Sequence, residues 1–306
     1  MSFSTDIKNE VTRLDTSKEE LISELSAIVR NSSEISHYLN INIENNQVAR
    51  RIFKLFKSIY DITPIITVRK KYFSNGLSYI LTIKHKQTQV LEDLSILSNG
   101  KYLSIPKEYI YSDEDLLRSY LRGLFLSTGS INDPKTSRYH LEFLVDNLDY
   151  ANFISHLLNQ FDLNSKVIHR EKKYMIYIKE AEKISDFLRL IRAYNGVMYY
   201  EDIRIYRDHK NMTNRLNNCE QANIDKIFFT AQNQIKDIKK LKEYDMLDLI
   251  DDKIKIAIDY RLKYPELSLT ELSSVMNDEG IKISKSGLNH RFRKIKEIIA
   301  NIEKKS

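Results

Sequence analysis

Side chains that can bind nucleic acid are concentrated near the end of this sequence. Between Ile281 and Ser306 there are eight Lys or Arg residues and two Glu, a balance of +6, which equals the net charge of all 306 residues. Cations attract phosphates, and Arg, Asn and His can hydrogen-bond the edges of bases. The chemistry that this stretch favours is therefore the binding of double-stranded DNA.

The same stretch has the period of an amphipathic helix, predicted over Ser284–Ile302. Its apolar residues form one stripe at steps of three and four: Leu288, Phe292, Ile295, Ile299 and Ile302. Ser284 stands where an N-cap belongs, and Gly287 would let the helix start lie close to the DNA backbone or to the preceding helix. We count both among the DNA-binding residues. The predicted base readers are Ser286, Asn289, His290 and Arg293, and the predicted phosphate contacts are Lys285, Arg291, Lys294 and Lys296.

The residues before this helix predict two further helices. The first runs from Asp252 to Tyr264 and is stopped by Pro265. The second opens on a capping-box pattern from Ser268 to Glu271 and is followed by a turn that contains Gly280. Helix, capped helix, turn and basic helix is the order of a helix-turn-helix unit, with the motif at about 268–302. A generic three-helix bundle whose last helix is merely solvated and Lys-rich is the alternative.

Composition limits the remaining classes of function. Cys219 is the only cysteine, which excludes an intrachain disulfide and a cysteine-based zinc site and indicates a reducing compartment. We expect it to be a packed thiol. The opening MSFSTDIKNE lacks the pattern of a signal peptide, and no apolar run approaches the ~18 residues of a membrane span. We therefore predict a cytoplasmic, nucleoid-associated protein with no membrane partner and no cofactor.

The first two-thirds of the chain predicts an internal duplication. An apolar trio at 21, 25 and 28 returns at 117, 121 and 124, on helices predicted at 19–30 and 115–127. Each helix is followed by a strand, a helix, a hairpin and a helix, so both halves have the order α-β-α-β-β-α. Ala27 and Gly123 lie in register on the two helices, and a glycine inside a helix is best explained by close helix approach. The halves are therefore expected to meet across these helices.

The stretch between the duplication and the terminal unit is less regular. Residues 197–206 are rich in Tyr and β-branched side chains and fit either a strand or a helix. Residues 222–243 have a thin apolar stripe and predict a long polar helix. We divide the chain into a duplicated α+β domain at 1–210, a helical connector at 211–246 and an all-α helix-turn-helix domain at 247–306.

Three segments of the sequence resemble a known family. The helix LRGLFLSTG (121–129) resembles the LAGLIDADG motif of homing endonucleases, and YLRGLFLSTGSINDP (120–134), NRLNNCEQANIDK (214–226) and SKSGLNHRFRKI (284–295) resemble the bacterial WhiA family. This resemblance implies a degenerate, pseudo-duplicated LAGLIDADG-like domain joined to a C-terminal helix-turn-helix. It also implies a role in transcription control, cell division and chromosome segregation in Gram-positive bacteria.

The resemblance also identifies the positions where a nuclease would hold metal. Homing endonucleases carry an acidic residue near the end of each motif helix, and these positions fall on Ser32 and Thr128. Neutral hydroxyls are poor ligands for Mg²⁺, and we expect Glu34 and Asp133 nearby not to replace the acids. No other catalytic or metal-binding pattern is present in the sequence, so we predict a DNA-binding protein that is not an enzyme.

Two alternatives stay open at the level of the sequence. Cations around the predicted hairpins could touch DNA or form a solvated rim: Arg69, Lys70, Lys71, Lys84, Lys86, Lys166, Arg170, Lys172 and Lys173. The duplicated domain could instead bind a protein partner. The protein would then be a nucleoid-associated adaptor of the division machinery with mainly nonspecific DNA binding, in place of a sequence-specific regulator. The target sequence and oligomeric state stay open, although two halves in one chain are compatible with a monomer.

Overall fold

Helices alternate with short antiparallel strands in the first part of the chain. The computed structural model describes residues 2–35, 37–70, 76–136 and 138–304. The first elements are α1 (Phe3–Val11), α2 (Lys18–Ser32), β1 (Ser33–Ile35), β2 (Leu39–Ile43), α3 (Asn46–Tyr60), β3 (Ile65–Lys70), β4 (Leu77–Ile83) and α4 (Gln87–Asp93). The short strands β5 (Leu97–Ser98) and β6 (Lys101–Tyr102) and a 3-10 turn at Glu108–Ile110 lead to the next helix.

The same order then returns. Its elements are α5 (Glu114–Thr128), β7 (Gly129–Ile131), β8 (Leu141–Val145), α6 (Leu148–Asn159), β9 (Lys166–Arg170), β10 (Lys173–Ile178) and α7 (Ala181–Leu190). The strand order is β1-β2-β4-β3 in one sheet and β7-β8-β10-β9 in the other, with antiparallel pairing throughout. The two motif helices have the same length and an offset of 96 residues, from Ser32 to Thr128 at their ends. The predicted pseudo-duplicated α+β fold is confirmed.

Helices α2 and α5 pack tightly against each other, as the sequence predicts. A Cβ atom placed on Gly123 would lie 2.2 Å from the carbonyl oxygen of Glu24 and 3.0 Å from the Cβ of Ala27. Any side chain at Gly123 would therefore force the two helices apart. The glycine that weakens α5 as an isolated helix is the residue that allows the two halves to meet.

A buried charge cluster, which was not predicted, lies at this helix pair. The Glu24 carboxylate is fully buried and accepts hydrogen bonds from Arg51 Nη2 at 2.9 Å and Arg122 Nε at 2.6 Å. Arg51 lies on α3, and its Nη1 also donates to the carbonyl oxygens of Thr12 and Leu14. One carboxylate thus connects α2, α3, α5 and the loop after α1.

The four-stranded sheet of each half contains one strand more than the predicted order, and the first half also has the unpredicted pair β5–β6. Strands β1 and β7 begin directly after α2 and α5 and are three residues long, too short to show the alternation on which strand prediction depends. Helix α1 was also not predicted. The Glu10 carboxylate of α1 accepts hydrogen bonds from the backbone nitrogens of Asn195 and Gly196, at 2.7 and 3.0 Å. These two residues lie at the start of the helix that follows α7. An acidic group in this place satisfies free N–H groups of a helix N-terminus.

That helix, α8 (Tyr194–Glu243), is 50 residues long. It includes residues 197–206, whose state the sequence left open, and the connector predicted at 222–243. The chain divides inside α8 into two structural units, Met1–Arg207 and Asp208–Ser306. The predicted domain limits at 210 and 246 stay predictions. Cys219 lies in α8 and is exposed, so the prediction that its thiol is packed is wrong.

The second unit has its own apolar core. After α8 come a 3-10 turn at Leu247–Leu249 and the helices α9 (Asp252–Lys263), α10 (Leu269–Asp278) and α11 (Lys285–Glu303). Their buried residues form one cluster with the end of α8: Ile238, Leu241, Ile250, Ile254, Ala257, Ile258, Leu272, Met276, Leu288, Phe292, Ile295 and Ile299. The capping box of Ser268 and Glu271 is present, and α9 ends before Pro265, as predicted.

Candidate nucleic-acid interface

The start of α11 is fixed by side chains of α10. The Asn277 amide donates to the carbonyl oxygens of Ser273 and Ile283, at 2.7 and 2.9 Å, and its oxygen accepts from the Ile283 nitrogen at 2.9 Å. The Ser273 hydroxyl donates to the same Ile283 carbonyl at 2.7 Å. These bonds hold the turn that contains Gly280, whose φ of +89° is costly for other residues. The first turn of α11 therefore has a fixed position relative to α10.

The first turn of α11 is capped as the sequence predicts. The Ser284 hydroxyl accepts from the Gly287 nitrogen at 3.2 Å and shares a hydrogen bond of 2.9 Å with the Ser286 hydroxyl. A Cβ on Gly287 would lie 3.2 Å from Ile283 Cγ1 and 3.4 Å from Ser284 Oγ. The tight neighbours of Gly287 are therefore the residues just before it, and its predicted approach to DNA stays a prediction.

A buried arginine supports the same motif from α9. Arg261 is almost fully buried, and its Nη1 donates to the carbonyl oxygens of Leu267 at 2.6 Å and Tyr264 at 3.3 Å. Its guanidinium lies 5.7 Å from the ring centre of Phe292 on α11. Burial lowers the pKa of Arg261. Arg261 and Asn277 were not predicted as supporting residues, since a charged or amide residue within a helix normally indicates a solvated position.

The four predicted base readers are all exposed on α11. Ser286, Asn289, His290 and Arg293 lie away from the buried stripe. Arg293 is two-thirds exposed; its Nε is 3.5 Å from Glu297 and its Nη2 is 3.3 Å from His290 Nδ1. These contacts lie within one exposed helix face and are worth little in water. The guanidinium can therefore exchange them for a guanine edge, which Arg binds with two parallel hydrogen bonds.

The predicted phosphate contacts surround these residues. Lys285, Lys294 and Lys296 are exposed, whereas Arg291 is half-buried and its Nη1 is buried without a hydrogen-bond partner. Eight of the ten predicted residues are exposed on α11 and its N-terminal turn, whereas Gly287 and Arg291 are half-buried. A helix that buries one side and presents cations and amides on the other has the form of a recognition helix. The role of each residue stays a prediction.

The two residues predicted to stand at degenerate acidic positions have hydroxyls that bond to their own helices. Ser32 Oγ donates to the Ile28 carbonyl oxygen at 2.6 Å, and Thr128 Oγ1 donates to the Leu124 carbonyl oxygen at 3.2 Å. Asp133 Oδ1 accepts from the Lys135 nitrogen at 2.8 Å and faces the Tyr199 hydroxyl at 3.4 Å. Glu34 is exposed on β1. Within the described ranges, no three His, Cys, Asp or Glu residues are grouped as a metal site would require.

A polar groove of about 880 Å³ adjoins Thr128. It is lined by hydroxyl and amide side chains of α1, β2 and the start of α3, together with Lys8 and Glu44. Burial lowers the pKa of Lys8 to about 8, while the nearby Glu44 carboxylate opposes the shift. An ammonium group thus lies in the groove beside Thr128.

The cations around the two hairpins are exposed, but three of them have partners. Arg170 is 3.5 Å from Glu142, Lys173 is 3.0 Å from Asp146, and Lys84 lies over the ring of Tyr38. Lys71 lies outside the described residues. These exposed contacts are as weak in water as those of Arg293, so phosphate contact by the hairpins stays a prediction. In the described part of the chain, no helix combines the length and apolar character needed to cross a membrane.

Three family models match the chain in succession. They are the WhiA N-terminal LAGLIDADG-like domain at residues 18–97, the WhiA LAGLIDADG-like domain at 117–210 and the WhiA C-terminal HTH domain at 213–299. Together they match most of the sequence. The domain order agrees with the duplicated first unit and the helical second unit.

Relatives and solved structures agree with these matches. Two proteins called "Probable cell division protein WhiA" are 40% identical over 304 residues in Staphylococcus saprophyticus and 41% identical over 310 residues in Lactiplantibacillus plantarum. The matches cover 97% and 99% of this chain, and 96% and 99% of the relatives. The crystal structure of full-length DUF199/WhiA from Thermatoga maritima has a TM-score of 0.59 at 23% identity, covering 98% of this chain and 99% of that one. The N-terminal LAGLIDADG domain of DUF199/WhiA has a TM-score of 0.52 at 25% identity, covering 62% and 90%.

Proposed function

The chain belongs to the WhiA family, and from this premise we propose that it is a sequence-specific DNA-binding transcriptional regulator of cell division and chromosome segregation. The exposed side of α11 is the observation that carries this proposal. It combines candidate base readers with flanking cations on a helix whose start is fixed by Asn277 and Ser273. The cell-division name of the relatives supplies the biological process.

The mechanism follows from this arrangement. The buried stripe of α11 holds the helix on α9 and α10, so the opposite side can enter a major groove. Lys285, Arg291, Lys294 and Lys296 would fix the helix on the phosphates. Ser286, Asn289, His290 and Arg293 would then read base edges, with Arg on guanine and Asn on adenine as the most discriminating pairs. The duplicated domain contributes no cleavage, because hydroxyls occupy both former acidic positions.

Binding-site selection from random duplex DNA tests the proposal. The full-length protein would be used at ~150 mM salt, because nonspecific attraction to phosphates falls steeply as salt rises. The double variant Asn289→Ala, Arg293→Ala removes two candidate readers, and Asn301→Ala removes an exposed amide near the other end of α11. We expect a shared motif with the wild type and Asn301→Ala and a lost or relaxed motif with the double variant.

The opposite result would favour the adaptor function. If no motif emerges and all three proteins bind random DNA equally, binding is nonspecific and α11 is not the reader. Occupancy on chromosomes provides the cellular measurement. A regulator should concentrate at promoters of division and segregation genes and should lose these sites in the double variant.

A further inference from the structure

Part of α8 is exposed along its whole length. Every residue from 208 to 230 is exposed. Six of them are large and apolar, with exposed fractions from 37% to 64%: Met212, Leu216, Ile224, Ile227, Phe228 and Phe229. The segment also contains five asparagines, which are poor helix formers: Asn211, Asn214, Asn217, Asn218 and Asn223. Helices in proteins gain most of their stability from burying an apolar side, so this segment needs a partner in solution.

The segment carries a heptad stripe. Met212, Leu216, Cys219 and Asn223 follow one another at steps of four, three and four residues. With Leu216 and Asn223 in position a, Met212 and Cys219 fall in position d of a coiled coil. The neighbouring core positions are His209, Lys226 and Thr230, and Ile227 lies beside the last d position. Met212 and Leu216 are therefore the large apolar members of a short seam that ends in polar residues, and Ile224, Phe228 and Phe229 lie outside it.

The pattern favours a partner with the same sequence in the same direction. In a parallel, in-register pair each core layer joins identical residues, so the thioether of Met212 meets a thioether and the amide of Asn223 meets an amide. In an antiparallel pair centred between Asn217 and Asn218, Asn223 would lie opposite Met212 and its amide would be buried without a polar partner. Such burial is costly, and a single Asn in position a is a known device for fixing register.

Charge supports the same arrangement. Arg215 falls in position g and Glu220 in position e, five residues later, which is the spacing of an interhelical ion pair in parallel coiled coils. From 208 to 230 there are three acidic and three basic residues: Asp208, Glu220, Asp225, Lys210, Arg215 and Lys226. A neutral segment offers no net attraction to nucleic acid and does not repel a second copy.

We propose that residues 208–230 of α8 form a parallel two-stranded coiled coil with the same segment of a second copy of this chain. The three-heptad length and polar ends make this association weak and dependent on concentration. The monomer should predominate at nanomolar concentration and the dimer at high micromolar concentration.

Sedimentation velocity over this concentration range tests the proposal with the full-length protein. Leu216→Asp places a carboxylate in the seam, whereas Asn217→Asp adds the same charge at an exposed position beside it. Both residues are exposed in the monomer, so neither change removes a core contact. We expect the wild type and Asn217→Asp to reach twice the 36.1 kDa mass of the chain. Leu216→Asp should weaken the dimer on the order of a hundredfold, since it would bury two like charges. A wild type that stays monomeric, or two variants that dimerise equally, would overturn the proposal.

Oxidation of Cys219 tests the direction of the helices. A parallel, in-register pair brings the two thiols into one layer, and a disulfide needs Cα atoms roughly 4.4–6.8 Å apart. With diamide as oxidant, the two thiols lose two electrons and two protons, the S–S bond forms and diamide is reduced to its hydrazine. Because Cys219 is the only cysteine, any covalent dimer must contain the Cys219–Cys219 bond. We expect rapid cross-linking of the wild type and Asn217→Asp, reversed by dithiothreitol, and slow cross-linking of Leu216→Asp. A sedimenting dimer that cross-links no faster than Leu216→Asp would contradict the parallel register.

Discussion

Arg293 is the α11 side chain best suited to read a base. Its exposed guanidinium contacts His290 and Glu297 on the same helix, and both weak contacts can be exchanged for contacts with a base. We expect Arg293→Ala to weaken binding to the preferred sequence by ~1–3 kcal/mol and to have a much smaller effect on random DNA. Titration of both DNAs at one salt concentration measures the difference. Equal losses on both DNAs would contradict the assigned role.

Lys296 is expected to act on phosphate instead of a base. Its ammonium is a compact point charge at the border of the exposed side of α11. Lys296→Ala should weaken binding to every sequence and should reduce the slope of log affinity against log salt by about one unit. Affinity measured across a salt series tests this prediction. A change of sequence preference with an unaltered slope would show that Lys296 contacts a base.

Glu24 contributes to stability through charge pairing inside the first unit. Its buried carboxylate bonds to Arg51 and Arg122, so Glu24→Gln would leave two buried cations without a counter-charge. Removal of one partner of a buried ion pair costs about 3–5 kcal/mol. We expect a loss of this size in denaturant unfolding. Glu19→Gln, at an exposed position of the same helix, is the matched control and should change stability little. Similar values for both variants would contradict the prediction.

The exposed side of α11 could be predicted from the sequence, whereas the burial of Glu24 and Arg122 could not. The exposed side of α11 follows from the spacing of Leu288, Phe292 and Ile295 alone, because a helix has a fixed period. Glu24 and Arg122 lie among apolar residues on α2 and α5, but a single sequence does not show that the two would face each other. Burial of such groups depends on a partner in another element, which local pattern does not record.

The α2–α5 pair determines how the two halves fit together, and Gly123 sets the spacing of these helices. Alanine would favour α5 as an isolated helix by about 1 kcal/mol, but its Cβ would lie 2.2 Å from the Glu24 carbonyl oxygen. Because a backbone atom cannot move aside cheaply, the clash should prevail. We expect Gly123→Ala to destabilise the first unit by roughly 1–3 kcal/mol, as other overpacked cores show. Thermal unfolding measures this loss.

Gly287→Ala is the matched control for Gly123→Ala. Its nearest contact would be the flexible Ile283 side chain at 3.2 Å, so the change should be neutral or slightly stabilising. Destabilisation of the same size in both variants would show that the loss comes from replacing a helical glycine in general and not from the α2–α5 contact.

Elements with strong local signals were predicted well, and those without them were missed. The capping box at Ser268, the stop before Pro265 and the cap at Ser284 all agree with the structure. Strands β1 and β7 are only three residues long and follow a helix without a turn. They therefore lack both the alternation of apolar residues and the turn residues by which a strand is predicted. Residues 197–206 are helical despite their β-branched composition, because Glu10 caps the start of α8 and the apolar core buries Val197 and Tyr200.

At the scale of the whole molecule, a duplicated nuclease-like unit and a helix-turn-helix unit occur in one chain. The internal offset of 96 residues and the basic C-terminus allowed both units to be predicted from the sequence. The sequence could not separate DNA contact by the first unit from a solvated rim. In the structure, Arg170, Lys173 and Lys84 have exposed partners, and such contacts are too weak in water to exclude DNA binding by the first unit.

The duplicated unit is expected to lack nuclease activity. Metal-assisted phosphodiester cleavage needs anionic ligands that hold divalent ions, whereas the hydroxyls of Ser32 and Thr128 are neutral and donate hydrogen bonds to the carbonyl oxygens of Ile28 and Leu124. Supercoiled plasmid incubated with pure protein and Mg²⁺ or Mn²⁺ should stay uncut over hours. Glu34→Gln and Asp133→Asn provide the control, since these are the acidic residues nearest in sequence to Ser32 and Thr128. Cleavage by the wild type that disappears in either variant would refute the prediction, whereas cleavage that persists in both would point to a contaminating nuclease.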